Sequence, residues 1–185
     1  MLVSILKGSR SDWGRLFVCV ALSMTILDGA RSAPVRSLLE IRSEGVVLQG
    51  WDSSCGAAAL TTVLRYHHGL DLDESEVAAS MLSSGNADMI RRNEGFSFLD
   101  LANYTKSWGF RPLGLSGVKT DEIAKYPFAI VPVLEHGKIP HFIVVRGVTA
   151  QGYFDVADPA FGNRLISVDT LRDIWVDGLL LSIAR

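Results

Sequence analysis

The sequence predicts an α+β domain, with helices in its first half and a mostly antiparallel sheet in its second. Three observations carry that expectation. Of the 185 residues, 48% are hydrophobic and 21% are charged, a composition that folds around one core and excludes wholesale disorder. Helical spacing of apolar residues dominates the stretch from about Cys55 to Trp108. From Phe128 onward the chain turns to short apolar runs separated by Gly and charged turns, without βαβ alternation.

Eighteen basic against twenty acidic residues leave a net charge of -2, so no basic excess exists to neutralise phosphates and no nucleic-acid partner is expected. Seventeen Gly and six Pro are scattered, which excludes collagen-like and linker-dominated architectures.

The N-terminus reads as a sorting segment. Lys7, Arg10 and Arg15 face one acid, Asp12, and the run from Leu16 to Leu27 carries no charge. That run is too short for a membrane-spanning helix, which needs roughly 20 residues, and fits the apolar region of a signal peptide. Cleavage after Ser32 places Ala30 and Ser32 at the two positions that must be small. The expectation is therefore a signal peptide over 1–32 and one domain over 33–185, periplasmic or secreted, with no stable membrane anchor after cleavage. Processing removes Cys19 and leaves Cys55 as the lone cysteine in an oxidising compartment, where it is either buried and inert or kept for chemistry.

Val46-Val-Leu48 reads as a short strand. A helix follows from about Cys55 to His67, with Ala57, Leu60, Val63 and Leu64 on its apolar face. Asp73-Glu-Ser-Glu76 resembles a capping box and starts a helix carrying Val77, Ala78, Met81 and Leu82. Arg91-Arg-Asn-Glu94 reads as a solvated turn. Ser97 caps a third helix, Phe98 to Trp108, which Gly109 ends. Strands are expected at 128–134, 142–145, 153–157 and 179–183, with a short helix near Asp169 to Trp175 leading into the last. Of Trp51, Trp108 and Trp175, core packing is the expected use of at least two.

The chemistry concentrates in Gln49-Gly-Trp-Asp-Ser-Ser-Cys55-Gly-Ala-Ala-Ala-Leu60. Cys55 stands where a loop becomes a helix, and unpaired N–H groups and the positive end of the helix dipole favour a thiolate there. Small residues behind it let another backbone approach the sulfur. Gln49 offers an uncharged donor which, with the Cys55 amide, can stabilise an oxyanion. A thiol nucleophile needs a base and a group to orient it. His141 opens an apolar strand, an expensive place for an imidazole without a task. Asp158 shares strand parity with Phe154 and Val156, so two adjacent antiparallel strands can bring His and Asp together; Asp155, on the opposite parity, is the competing carboxylate. The plain alternatives are a cysteine buried as a small hydrophobe, a core histidine, a turn-forming Asp-Pro pair and a surface amide.

These residues resemble the papain-like bacteriocin-processing peptidases, also called double-glycine leader peptidases, and their small stand-alone secreted members in particular. The matching stretches are Gln49 with Asp-Ser-Ser-Cys55-Gly-Ala-Ala-Ala-Leu, Gly95-Phe-Ser with Leu99 and Gly109-Phe110, Pro140-His-Phe-Ile-Val-Val145, and Asp158-Pro-Ala-Phe-Gly162 with Trp175. The resemblance implies a papain-like fold with Cys55 as nucleophile, His141 as base, Asp158 as its orienter and Gln49 in the oxyanion hole. It further implies a cysteine endopeptidase cutting after Gly-Gly or Gly-Ala in an exported protein or leader, in the service of a functional-amyloid, pilus or peptide secretion system. The partner is then a polypeptide substrate. One departure stands out: many members place Asp directly before the Cys, whereas here Ser54 precedes it and the acid sits at Asp52. Two other readings keep the same residues: a silent module that binds Gly-rich segments, and a transamidase using the same triad. No cofactor is expected, since no glycine-rich phosphate loop follows a strand. No metal is expected at His67-His68, because adjacent residues do not share a helical face.

Overall fold

A computed structural model describes residues 35–84, 87–92, 95–135 and 140–185. The expected signal segment and Cys19 lie outside the described residues, as do Asn93 and Glu94 of the expected turn.

The first element, α1 (Leu38–Arg42), starts on a capping box: Ser37 Oγ accepts from the Glu40 N–H, and the Glu40 carboxylate accepts from the Ser37 N–H. Val46 to Leu48 stands outside the sheet and forms no strand. The Val47 N–H donates to Thr62 Oγ1 at 2.9 Å and the Gln49 N–H to the Pro159 carbonyl at 2.9 Å, so this segment's donors serve a helix side chain and a turn rather than a strand partner.

The predicted Cys55 to His67 helix is present as α2 (Cys55–Thr62) continued by a π-helical turn, Val63–His67. Every residue of α2 after Cys55 is buried, which explains its run of Gly and Ala: small side chains let this central helix sit close to its neighbours. α3 (Glu74–Ser84) follows with a half-formed box, since the Asp73 N–H reaches Glu76 while the Asp73 carboxylate pairs with Arg65 instead. Arg91 and Arg92 close a short helix, α4 (Ala87–Arg92), and not a turn, with Arg91 bonded to Asp88 one turn earlier. α5 (Phe98–Ser107) is capped by Ser97 with Asp100 as its reciprocal partner, and Gly109 follows in the left-handed region at φ 80°.

The second half forms one six-stranded sheet: β1 (Arg111–Leu115), β2 (Ala129–Val133), β3 (His141–Val148), β4 (Phe154–Asp158), β5 (Gly162–Ile166) and β6 (Leu180–Ala184). Its order is β1-β6-β2-β3-β4-β5, and all neighbouring strands pair antiparallel. Both faces are covered. Ile130, Val144, Ala157, Leu181 and Ile183 pack with α2, α3, α4 and α5. Ala129, Val131, Val133, Ile143, Val145 and Val156 pack with Ile123 and with Leu171 of α6 (Val168–Ile174). β2 is buried along its whole length, as a central strand between two layers must be. Only Trp175 of the three tryptophans considered joins a core; Trp51 and Trp108 are 44% and 47% exposed.

A bulge at Arg146 shifts the β3–β4 register between Val145 and Gly147. The extra residue sends its guanidinium to Asp155 (3.1 Å from Nε to Oδ2), which accounts for that carboxylate.

Candidate active site

Cys55 is the first residue of α2. The preceding Ser54 is fully buried and makes no side-chain cap to the helix; its Oγ donates to the Trp51 carbonyl at 2.9 Å and closes the loop on itself. The open helix start therefore faces the thiol. Burial pushes the Cys55 thiol up, but the facing His141 imidazole and the N–H groups of Phe142 and Gly56 outweigh it, and the net direction is down.

Gly56 has no spare room. A β-carbon there would stand 3.1 Å from Phe96 Cβ and 3.3 Å from a ring carbon of Phe142. The residue after the thiol thus touches the residue after His141, which sets the two reactive groups beside each other.

His141 is the first residue of β3, and its Nε2 lies 2.8 Å from Asp158 Oδ1. With Nε2 engaged there, the ring contact with Cys55 falls to Nδ1. Burial lowers the imidazole's proton affinity, yet hydrogen bonds and charge from Asp158 and Cys55 push its pKa up to about 9. Asp158 ends β4 and is wholly buried. Burial would raise its pKa, but His141, the Ala160 N–H and Arg164 hold it below the usual carboxylate range. Its Oδ1 also accepts from the N–H groups of Ala160 (2.9 Å) and Phe161 (3.3 Å), an Asx turn across Pro159. Its Oδ2 accepts from Arg164 Nη1 at 2.7 Å.

Strand parity explains the assembly. Val145 pairs with Val156, and both face the α6 side; His141 and Asp158 are even steps from them and belong to the same row. Arg164 pairs with Val156 across β4–β5, one diagonal from Asp158. Asp155, of opposite parity, is taken by Arg146.

Gln49 is placed differently from the other three. Its Nε2 lies 3.2 Å from the Trp51 carbonyl and 3.3 Å from that of Asp52, while its buried Oε1 has no hydrogen-bond partner. Both bonds are long for N–H···O. Thus the structure joins Cys55, His141 and Asp158 in one chain of contacts and brings Gln49 to the loop beside them through its backbone. Two members of the network escaped sequence reasoning: Arg164, and Glu135, whose carboxylate accepts from both Arg164 Nη atoms at 2.7 and 3.0 Å. Nothing local marks either as special; the strand register alone brings them to Asp158.

Next to the loop Trp51-Asp-Ser53 lies a groove of about 700 Å³, lined mainly by Trp51, Leu82, Ile90, Arg91 and Phe96.

The model of the Peptidase C39 family matches residues 43–185. The chain is 34% identical over 149 residues to the "Probable functional amyloid protease FapD" of Pseudomonas fluorescens, and 31% identical over 149 residues to the protein of that description in Pseudomonas aeruginosa. In each case the match covers 80% of this chain and 64% of the relative, so the chain spans about two thirds of the length of those proteins. Two crystal structures share the fold: a double glycine motif protease from an AMS/PCAT transporter in complex with the leader peptide, and the peptidase domain of Streptococcus ComA, a bi-functional ABC transporter. The first is 22% identical with a TM-score of 0.60, covering 75% of this chain and 89% of that one. The second is 23% identical with a TM-score of 0.61, covering 75% and 96%.

Proposed function

This chain belongs to the Peptidase C39 family, with the papain-like fold of a cysteine peptidase, and on that premise we propose that it is an endopeptidase acting after small residues of a secreted polypeptide. The observation that carries the reading is the contact chain Cys55, His141, Asp158, with the thiol lowered and the imidazole raised. In it the Cys55 thiolate attacks the scissile carbonyl carbon and the C=O electrons move onto oxygen. The Cys55 N–H and Gln49 Nε2 donate to that oxyanion; the two long bonds of Gln49 to loop carbonyls are ones it can exchange for the substrate's oxygen. Collapse breaks the C–N bond, and Nδ1–H of His141 gives its proton to the departing amine. His141 then takes a proton from water, which attacks the thioester; the C–S bond breaks, the acid leaves, and the Cys55 thiolate beside protonated His141 is restored.

The groove beside Trp51 and Phe96, lined by apolar side chains together with Asp52, Ser53 and Arg91, is suited to the segment preceding the cut. Gly-Gly or Gly-Ala is the proposed cleavage sequence. An exported protein of a functional-amyloid, pilus or peptide secretion system is the proposed substrate, and the periplasm or exterior the proposed location. The FapD description of the relatives and the leader peptide bound to the transporter protease support this choice. Among the described residues no helix is long and apolar enough to cross a membrane. The test is to incubate the protein with candidate exported proteins and with Gly-Gly peptides, and map new termini by mass. New carboxyl termini after Gly-Gly or Gly-Ala that vanish in Cys55→Ala are expected. Products joined to an added amine would mean transfer instead of hydrolysis, and tight binding without new termini would mean a silent module.

A further inference from the structure

We propose that Arg164 and Glu135 are positioning residues for the His141 imidazole, acting on it through Asp158; this rests on the reading of Asp158 as its orienter.

The carboxylate of Asp158 has two oxygens with different duties. Oδ1 receives His141 and two turn N–H groups, whereas Oδ2 receives Arg164 Nη1. Because Asp158 is fully buried, an Oδ2 without that donor would be an unsatisfied buried anion, and the carboxylate would be held through Oδ1 alone. Arg164 is itself held in one orientation. Glu135 grips both Nη atoms, and the guanidinium carbon stands 5.5 Å from the Phe161 ring centroid. Phe161 donates its own N–H to Asp158, so Arg164 is braced by the turn it stabilises.

Charge makes the arrangement more than a brace. His141 is faced by Cys55 from α2 and Asp158 from β4; behind Asp158 stand Arg164 from β5 and Glu135 just past β2. With Arg164 present, Asp158 is shared between two cations and holds the imidazolium less firmly. Glu135 in turn partly neutralises Arg164. Deleting Arg164 leaves Asp158 to His141 alone, which strengthens the imidazolium and makes it a poorer proton donor to a leaving amine. Neutralising Glu135 exposes the full Arg164 charge and weakens the imidazolium. The two changes push the ring in opposite directions, a signature that simple loss of packing does not produce.

The experiment measures kcat and KM on a Gly-Gly peptide, and iodoacetamide alkylation of Cys55, both across pH, for Arg164→Met, Arg164→Lys, Glu135→Gln and Asp158→Asn. Arg164→Met should lower kcat about tenfold with little change in KM, as expected for losing one charged hydrogen bond. It should also move the alkaline limb to higher pH. Glu135→Gln should move that limb to lower pH, and Arg164→Lys should return it toward the parent position. If Arg164→Met does not fold, the Lys and Gln variants carry the test. Unchanged limbs and kcat in folded Arg164 and Glu135 variants, alongside a crippled Asp158→Asn, overturn the proposal and leave the triad standing. So does lower stability with unmoved limbs. A silent Asp158→Asn overturns the orienter reading, and this proposal with it.

Discussion

The backbone N–H of Gln49 donates to the carbonyl of Pro159 across 2.9 Å, tying the loop that leads to Cys55 to the turn that follows Asp158. Cys55 and Asp158 are 103 residues apart in sequence, yet their flanking loops are joined directly, without passing through His141. Since the tie is made by main chain, side-chain substitutions at position 49 leave it in place.

Gln49→Ala is therefore expected to keep the fold and lose rate. If the amide donates to the oxyanion, kcat should fall by about 100-fold or more with KM little altered. Steady-state cleavage of a Gly-Gly peptide measures it. An unchanged kcat would reduce Gln49 to a brace for the Trp51 and Asp52 carbonyls.

Cys55→Ala should abolish cleavage while shifting stability by no more than about 1 kcal/mol, since a half-buried sulfur at a helix start gives way to a strong helix former. Urea unfolding alongside the cleavage assay decides it; a folded Cys55→Ala protein that still cuts would falsify the nucleophile assignment.

Stability should depend on pH with a defined sign. His141, raised to about 9 from an ordinary value near 6.5, contributes stability below 6.5 that is lost as pH climbs through 9. Cys55 is lowered, so its contribution is lost as pH falls through its folded value and is complete above about 8.5, where a free thiol would ionise. Between about 6.5 and 8.5 the pair binds one proton in either state, and stability should be flat; above 8.5 it should decline. Cys55→Ala removes the compensation, so its decline should begin near 6.5. Urea midpoints from pH 6 to 10 for both proteins test this. Alkylation of Cys55 in His141→Ala should show an acid limb moved to higher pH, because the cation favouring the thiolate is gone.

Asp158→Asn and Asp155→Asn separate the two faces of β4. The first should slow turnover at least tenfold and destabilise by roughly 3 kcal/mol, since it leaves Arg164 beside a neutral group in a buried site. The second breaks a partly exposed pair with Arg146 and should cost at most about 1 kcal/mol with turnover unchanged. The reverse result would reassign the acid.

Gly162→Ala probes the turn beyond Asp158. Gly162 has φ 81°, and a β-carbon there would stand 2.4 Å from the Arg42 carbonyl. Left-handed strain and a backbone clash together should cost roughly 2 kcal/mol or more, read as a lowered melting temperature.

α2, α3, α5 and α6 were legible because their signals are local: Ser97 with Asp100, the apolar face of Cys55 to His67, the glycine at 109; the shorter α1 and α4 were not. The apolar strands β2, β3, β4 and β6 were legible in the same way, to within a few residues at their ends. β1 and β5 were not. Arg111-Pro-Leu-Gly-Leu115 and Gly162-Asn-Arg-Leu-Ile166 lie at the two sheet edges, carry Pro, Gly or charge, and have no apolar run to announce them. Val46 to Leu48 erred the other way, since β-branched composition cannot say whether a partner strand is available. Of the site, Cys55, His141 and Asp158 could be read from helix start, strand start and parity. Arg164 and Glu135 could not, because missing β5 removed the register that delivers them.

That register has a consequence in time. Glu135, His141, Asp158 and Arg164 come from four successive places across the sheet, past β2 and on β3, β4 and β5, while Cys55 comes from a helix formed far earlier in the chain. Until those strands have paired, nothing faces the sulfur and it is an ordinary thiol with a pKa of about 8.5. A chain whose sheet has not formed therefore carries no activated thiol. The rate at which Cys55 becomes alkylated at neutral pH is thus a clock for the long-range docking of α2 against β3.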